Sequence, residues 1–166
     1  FINQMFQNAI IEDFPEGFFE GLDEVKFISQ LFESATFLKP LKNGILKGLV
    51  NATSAEKMFY RADITEIPEG LFDGFGVNST SVNLEYTFFG CNGLVSVPAR
   101  MFDPIADKVK SIKQCFQNCT NLKSIPEGFG NSLTNLTNAS NAFYGCEALE
   151  SLPSEMFKGA AAQLSN

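Results

Sequence analysis

The sequence predicts an α/β solenoid, a chain that winds through about six repeats of 26 to 29 residues, with short parallel strands and short helical or 3-10 turns. Two observations predict it. A phenylalanine recurs at a nearly constant interval, and a small residue, Ala or Cys, follows it three positions later. A second segment, written most clearly as hydrophobic-Pro-Glu-Gly, recurs about ten residues further on. Repeats of roughly 20 to 50 residues bury their apolar sides only against their neighbours, so stacked repeats share a continuous core.

The recurring phenylalanine, here called the ring position, defines repeats 1 to 6 and assigns residues 1–166 to a single repeat domain. The six ring positions are Phe6, Phe32, Phe59, Phe88, Phe116 and Phe143. Because stacked repeats superimpose equivalent residues, we expect the rings from Phe32 to Phe143 to form one internal column. The chain opens inside a partial repeat without an initiator Met, so we expect it to be part of a longer protein.

Apolar residues around the ring position come every three residues, as in repeat 5 from Val109 to Ile125. A period of three matches neither the 3.6 of an α-helix nor the 2 of a strand. It fits a chain that winds around a core and sends one side chain inward at each step. We expect one short parallel strand per repeat after the ring position, over 94–97, 122–125 and 149–152.

The proline segments predict a second kind of local structure. A proline followed by an acidic residue, as at Pro68 and Glu69, favours the opening of a helix, because the ring presets φ and the carboxylate faces unpaired N–H groups. We therefore expect one short helical or 3-10 turn per repeat. The last segment, 158–166, predicts either a closing helix or an unfinished seventh turn.

Two runs of sequence carry a family resemblance. Residues 116–126 read Phe-Gln-Asn-Cys-Thr-Asn-Leu-Lys-Ser-Ile-Pro, and 142–153 repeat the pattern. This pattern resembles the BspA-like leucine-rich repeat of bacterial surface proteins, and 136–143 is similar to a related repeat of bacterial lipoproteins. The resemblance implies a right-handed leucine-rich-repeat coil, and a secreted or surface-exposed bacterial protein that is not an enzyme and takes part in adhesion.

Charge and hydropathy limit the partners. The net charge of -7 and the pI near 4.6 argue against nucleic acid, because a phosphate backbone requires clustered Lys and Arg. There is no apolar run of 18 residues, so we expect no membrane span in this chain, while an upstream lipid anchor remains open. Terminal repeats with apolar outer faces also leave open an oligomer formed by end stacking.

Catalytic and metal-binding patterns are missing from the sequence. The chain has no histidine, the usual general base and the commonest metal ligand, and no phosphate-binding glycine loop or nucleophile elbow. We therefore expect no catalytic residue, no cofactor and no metal. Three carboxylates recur at one repeat position, namely Glu16, Glu69 and Glu127. We interpret them as favourable charge at a helix start; a shallow calcium site is the alternative, as it is for Asp73, Asp103 and Asp107.

Three cysteines, Cys91, Cys119 and Cys146, occupy the small position after the ring, where earlier repeats have Ala. The exchange with Ala indicates a small buried slot, filled by packing and a weak thiol hydrogen bond. A disulfide that includes Cys115 and a metal site are the alternatives. Five Asn-x-Ser/Thr triplets begin at Asn51, Asn78, Asn118, Asn135 and Asn138; we interpret them as turn chemistry, with glycosylation as the alternative.

The function that these patterns favour is macromolecular recognition on the outer surface of a bacterium, with a protein or glycan ligand that can come from a host. The alternative is a passive spacer module of a surface lipoprotein. A hydrolase is the third hypothesis, suggested only by the many carboxylates.

Overall fold

The structure is a computed structural model that describes residues 1–164. Its regular elements are few and short. Strands β1 (Ile10–Ile11) and β2 (Thr36–Phe37) form a parallel pair in which Ile10 faces Thr36. One 3-10 helix covers Asp103–Lys108, a second covers Lys158–Ala160, and helix α1 (Ala161–Leu164) follows directly. The predicted closing helix is therefore present up to Leu164; Ser165 and Asn166 lie outside the described residues.

Consecutive repeats are joined by isolated parallel bridges that form two rows. The first row lies five to seven residues before the ring position: Phe27↔Ser54, Ser54↔Asn83, Val82↔Val109 and Ser111↔Asn138. The second row follows the ring: Thr36↔Asp63, Ser96↔Ser124 and Ser124↔Ser151. The predicted strand segments 94–97, 122–125 and 149–152 each contain one residue of the second row. They pair in parallel, but as single bridges rather than strands, and the first row was not predicted.

The residues around each ring form a tight turn whose backbone groups pair in two directions. The backbone N–H of the ring-position residue donates to a backbone carbonyl one repeat further on. The N···O distance is 2.8 Å from Phe59 to Thr87 and 2.9 Å from Phe88 to Cys115. The backbone carbonyl of the ring-position residue accepts from the backbone N–H three positions later, as that of Phe88 does from Cys91 at 3.2 Å. Cys91 in turn accepts from Leu94 at 3.2 Å. This chain of i→i+3 bonds explains the apolar period of three, because each such turn returns the backbone to the core.

The six ring positions form a column, as the sequence predicts. Neighbouring centroids are 5.3 to 5.5 Å apart and neighbouring planes lie within 3° to 13° of parallel. The four central rings are fully buried, whereas Phe6 and Phe143 are only partly covered. Phenyl rings suit this position because they have no polar atom that would need a partner in a dry core.

A second group of rings, from the proline segments, packs beside the column. Phe102 and Phe129 lie 5.5 Å apart, and the Phe129 ring meets the Phe116 ring edge-on at 6.0 Å. The two groups together make the hydrophobic core, and the remaining apolar positions fill the space around them.

The proline segments are single turns rather than helices. The backbone N–H of Asp73 donates to the Gly70 carbonyl at 3.2 Å, and that of Asn131 donates to the Gly128 carbonyl at 3.0 Å. Most turns end after one or two such bonds. Within the described residues, the expectation of a helical turn in every repeat is met by regular 3-10 geometry at Asp103–Lys108 and Lys158–Ala160.

Candidate binding surface

The positions two before and one, two and four after each ring position lie on one side of the molecule, here called the ring-turn face. All three tyrosines of the chain fall on it: Tyr60 and Tyr144 directly follow a ring position, and Tyr86 precedes one by two. The core column contains only phenylalanine. This division is physical, because a tyrosine hydroxyl needs water or a hydrogen-bond partner that the dry column does not offer.

Repeats 3 and 4 carry a cluster of partly exposed aromatic rings on this face. The rings of Tyr60 and Phe89 stack at 4.7 Å with planes 10° apart, and Tyr86 lies 6.1 Å from Phe89. Two cations border the cluster: the Lys57 ammonium lies 5.5 Å from the Tyr86 ring, and the Arg61 guanidinium 5.3 Å from that of Tyr60. Other rings of the chain are more exposed, those of Phe1, Phe27 and Tyr144 among them. Here, however, three rings and two cations meet on one face, and interfaces favour such side chains.

A groove of about 670 Å³ opens beside this aromatic cluster and crosses repeats 3 to 6. Its walls are formed by Arg61, Phe89, Asn92, Asn118, Thr120 and Glu147. Phe89 is the one apolar side chain among them; the others offer amide, hydroxyl, guanidinium and carboxylate groups. The groove is therefore a polar channel with an aromatic patch at one end.

Two glycines form the floor of the groove. Gly90 and Gly145 occupy the second position after the ring, where the neighbouring repeats have Arg61 and Asn118. Both glycines have positive φ, +68° and +74°. A Cβ at Gly90 would lie 3.1 Å from Cγ of Arg61, and one at Gly145 would collide with Oδ1 of Asn118. The missing side chains leave the room in which Arg61 and Asn118 lie across the surface.

A smaller hollow of about 350 Å³ lies among the proline-segment turns, between Asn43, Glu69 and Asp103. Its polar groups are occupied by each other. Arg100 donates from Nε to Asp103 at 2.6 Å, and its backbone N–H donates to the Glu69 carboxylate at 3.1 Å. The hydrogen bond and charge of Asp103 raise the pKa of the Arg100 guanidinium. This hollow is held together by its own contacts and is the weaker candidate.

Two of the three recurring carboxylates connect repeats rather than capping helices. Glu69 and Glu127 accept hydrogen bonds from backbone N–H groups of the following repeat, those of Arg100 at 3.1 Å and Ser154 at 3.0 Å. The Ser154 N–H bond lowers the pKa of Glu127. The interpretation as charge at a helix start was wrong, because these segments are single turns. In the described part of the chain, no three His, Cys, Asp or Glu side chains group as metal ligands would.

The cysteines pack as the sequence indicates. The Sγ atoms of Cys91, Cys119 and Cys146 each donate to the ring-position carbonyl of the preceding repeat, at 3.0, 3.1 and 3.2 Å. All four cysteines are free thiols, so the disulfide alternative is not realised. Burial raises the pKa of Cys119 to about 12 and raises those of Cys91 and Cys115 as well. These thiols are protonated and shielded, the opposite of a nucleophile's environment.

Three of the five Asn-x-Ser/Thr asparagines use their side chains within the fold. Asn51 and Asn135 donate from Nδ2 to backbone carbonyls of the preceding repeat, at 2.6 and 2.7 Å. Asn138 accepts from the Ser140 N–H at 3.0 Å. The interpretation as turn chemistry accounts for all three. Asn118 is the exception that matters, because its side chain lines the groove.

No protein-family model matches the chain, and searches of the curated proteins and of the solved structures gave no match. Within residues 1–164, no helical segment has the length and hydrophobicity that crossing a bilayer would require. The groove was not identified from the sequence, since the residues that form it are outward-facing and vary between repeats. The available signal was the pair of glycines, Gly90 and Gly145, at a position that otherwise carries Asn, Ser or Arg.

Proposed function

We propose that the chain is an α/β solenoid of the leucine-rich-repeat type that recognises a protein or glycan ligand through its ring-turn face, on the surface of a bacterium or after secretion. The observation that carries the proposal is the stacked, partly exposed pair Tyr60 and Phe89 beside the polar groove. Aromatic rings held in one orientation by a rigid neighbour offer binding area at low entropic cost.

The groups that catalysis would need are engaged elsewhere. The chain has no histidine. Three of its four thiols are buried and all four have raised pKa values, and two of the recurring carboxylates accept hydrogen bonds from backbone N–H groups. These features favour binding over the hydrolase hypothesis.

The proposal is tested on arrays of extracellular-matrix proteins and of glycans, probed with the purified chain. We expect at least one ligand to be retained, and the double variant Tyr60→Ala/Phe89→Ala to lose about tenfold or more in affinity, as removal of interface anchors does. The matched control is Gln7→Ala/Glu33→Ala, which changes the same position after the ring in repeats 1 and 2.

The second candidate is a passive spacer. It is favoured by the unbroken column of rings from Phe6 to Phe143, which would make a stiff support for another domain. In that case neither array retains the chain. Retention that both double variants keep would contradict binding through the ring-turn face.

A further inference from the structure

The groove has the chemistry of a sugar-binding site. A sugar ring presents C–H groups on its faces and hydroxyl groups at its edge, so it is complementary to an aromatic face bordered by amides and hydroxyls. Phe89 supplies an aromatic ring, one face of which is covered by Tyr60, and Asn92, Asn118 and Thr120 supply amide and hydroxyl groups. Amides are useful here because each can donate and accept at once, as a sugar hydroxyl does.

The alternative ligand, a protein side chain or segment, fits this groove less well. Protein interfaces place their binding energy in apolar pockets that take up an aromatic or aliphatic anchor. Here Phe89 is the only apolar side chain in the walls, and the floor is formed by Gly90 and Gly145. A partner's apolar side chain would meet polar groups along most of the channel, and it would have to displace their water without replacing the hydrogen bonds.

Several polar groups of the groove are available to a ligand. Of the residues that the structure describes, Arg61, Asn118 and Glu147 use their polar side-chain atoms in no hydrogen bond or ion pair with the protein. Asn92 accepts a hydrogen bond from the Thr120 hydroxyl at 3.2 Å, which fixes its side chain and leaves its amide N–H groups for a ligand. Groups that are positioned beforehand lose less entropy on binding.

We propose that this groove binds a short oligosaccharide, with one sugar ring stacked on Phe89 and its hydroxyl edge directed along Asn92, Asn118 and Thr120. The inference rests on the proposed function and names its ligand class. The groove crosses four repeats, each about 5 Å from the next, so it is long enough for more than one sugar unit.

The test is a glycan array followed by calorimetric titration of each retained oligosaccharide, free in solution. We expect Phe89→Ala and Asn118→Gly each to weaken binding about tenfold or more. Glycine is the substitute for Asn118 because this residue has a φ of 59°. The matched controls, Gln7→Ala and Ser34→Gly, occupy the same two positions in repeats 1 and 2 and should bind as the parent chain does.

Thermal melting of every variant separates folding from binding, because a groove variant that melts like the controls and still binds weakly has lost contacts rather than structure. The inference is overturned if no glycan is retained, or if the groove variants bind a retained glycan as tightly as the controls. Retention of a matrix protein alone, sensitive to Phe89→Ala, would overturn the glycan inference and support the proposed function. Retention of neither class would overturn both.

Discussion

The thiol of Cys119 donates a hydrogen bond to the carbonyl oxygen of Phe88, one repeat earlier, at 3.1 Å. The same bond joins Cys91 to Phe59 and Cys146 to Phe116. In repeats 1 to 3 the equivalent residue is Ala, which fills the slot but cannot donate. The cysteine thus adds one weak polar link between repeats to those that the backbone and other side chains supply.

Replacing Cys119 by Ala removes this bond and leaves a small void. We expect a loss of about 1 kcal/mol in the free energy of unfolding, the usual contribution of one hydrogen bond. Urea denaturation followed by circular dichroism measures it. A loss of the size that a large buried hydrocarbon produces would show that the thiol has a greater role than packing.

Alkaline pH should destabilise the protein through its buried thiols. Burial raises the pKa of Cys119 from 9.0 to about 12, so the unfolded chain releases this proton at a lower pH than the folded one. The stabilisation is therefore complete below pH 9 and is lost as the pH rises from 9 towards 12, with about 1 kcal/mol lost by pH 10. Lys and Tyr also titrate in this range, so the measurement compares the melting temperatures of the parent chain and Cys119→Ala. Identical pH profiles would contradict the assignment.

Two adjacent phenylalanines should respond very differently to truncation. Phe88 is fully buried in the column, between Phe59 and Phe116, whereas Phe89 lies on the ring-turn face. We expect Phe88→Ala to cost about 3 to 5 kcal/mol, the range for a buried ring, or to prevent folding. Phe89→Ala should cost about 1 kcal/mol, from the lost stacking with Tyr60.

Chemical denaturation of both variants decides the outcome, and Phe88→Leu provides a milder change if Phe88→Ala does not fold. Equal losses for Phe88→Ala and Phe89→Ala would contradict the assignment of one ring to the core and the other to the surface.

Gly145 should tolerate no side chain. Its φ is +74°, and a Cβ would meet Oδ1 of Asn118. Gly21 is a matched control with φ +82° and no atom within 4 Å of the added Cβ. We expect Gly21→Ala to cost about 1 kcal/mol for the backbone conformation alone, and Gly145→Ala to cost more.

The double variant Gly145→Ala/Asn118→Gly removes the collision and should regain part of that loss. Melting temperatures of the single and double variants measure the coupling between the two residues. Strictly additive losses would show that Asn118 does not lie over Gly145.

The core could be predicted from the sequence, whereas the candidate binding surface could not. Phe88 and Phe116 recur at a fixed interval with a small residue three positions on, and a buried column constrains both features. The groove depends on Gly90 and Asn118, which differ from their counterparts in other repeats. A comparison of repeats identifies the positions that stay the same, so it does not point to a groove formed by residues that differ from repeat to repeat.

The bridges were only partly predictable for a different reason. Ser124 lies in a segment predicted as a strand, and it pairs on both sides, with Ser96 and Ser151. The earlier row, which includes Ser54 and Asn83, combines polar residues with the apolar Phe27, Val82 and Val109 and shows no strand pattern. There the side chains of Ser54 and Asn83 accept hydrogen bonds from the backbone N–H two positions later, a local turn that leaves no hydrophobic alternation to detect.

The hydrogen bonds that the backbone N–H groups of the ring-position residues donate to the next repeat all run the same way. The N–H of Phe59 donates forward to Thr87, the N–H of Phe88 donates forward to Cys115, and the same direction holds at Phe6, Phe32 and Phe116. This row of bonds therefore has a polarity, while bonds at other positions, such as that from Asp63 to Ala35, run in the opposite direction. If a whole repeat were duplicated or deleted, the hydrogen-bonding groups of the new neighbours would still match. A fragment shorter than a repeat would place donors opposite donors. Such an array can change its length in evolution only by entire units.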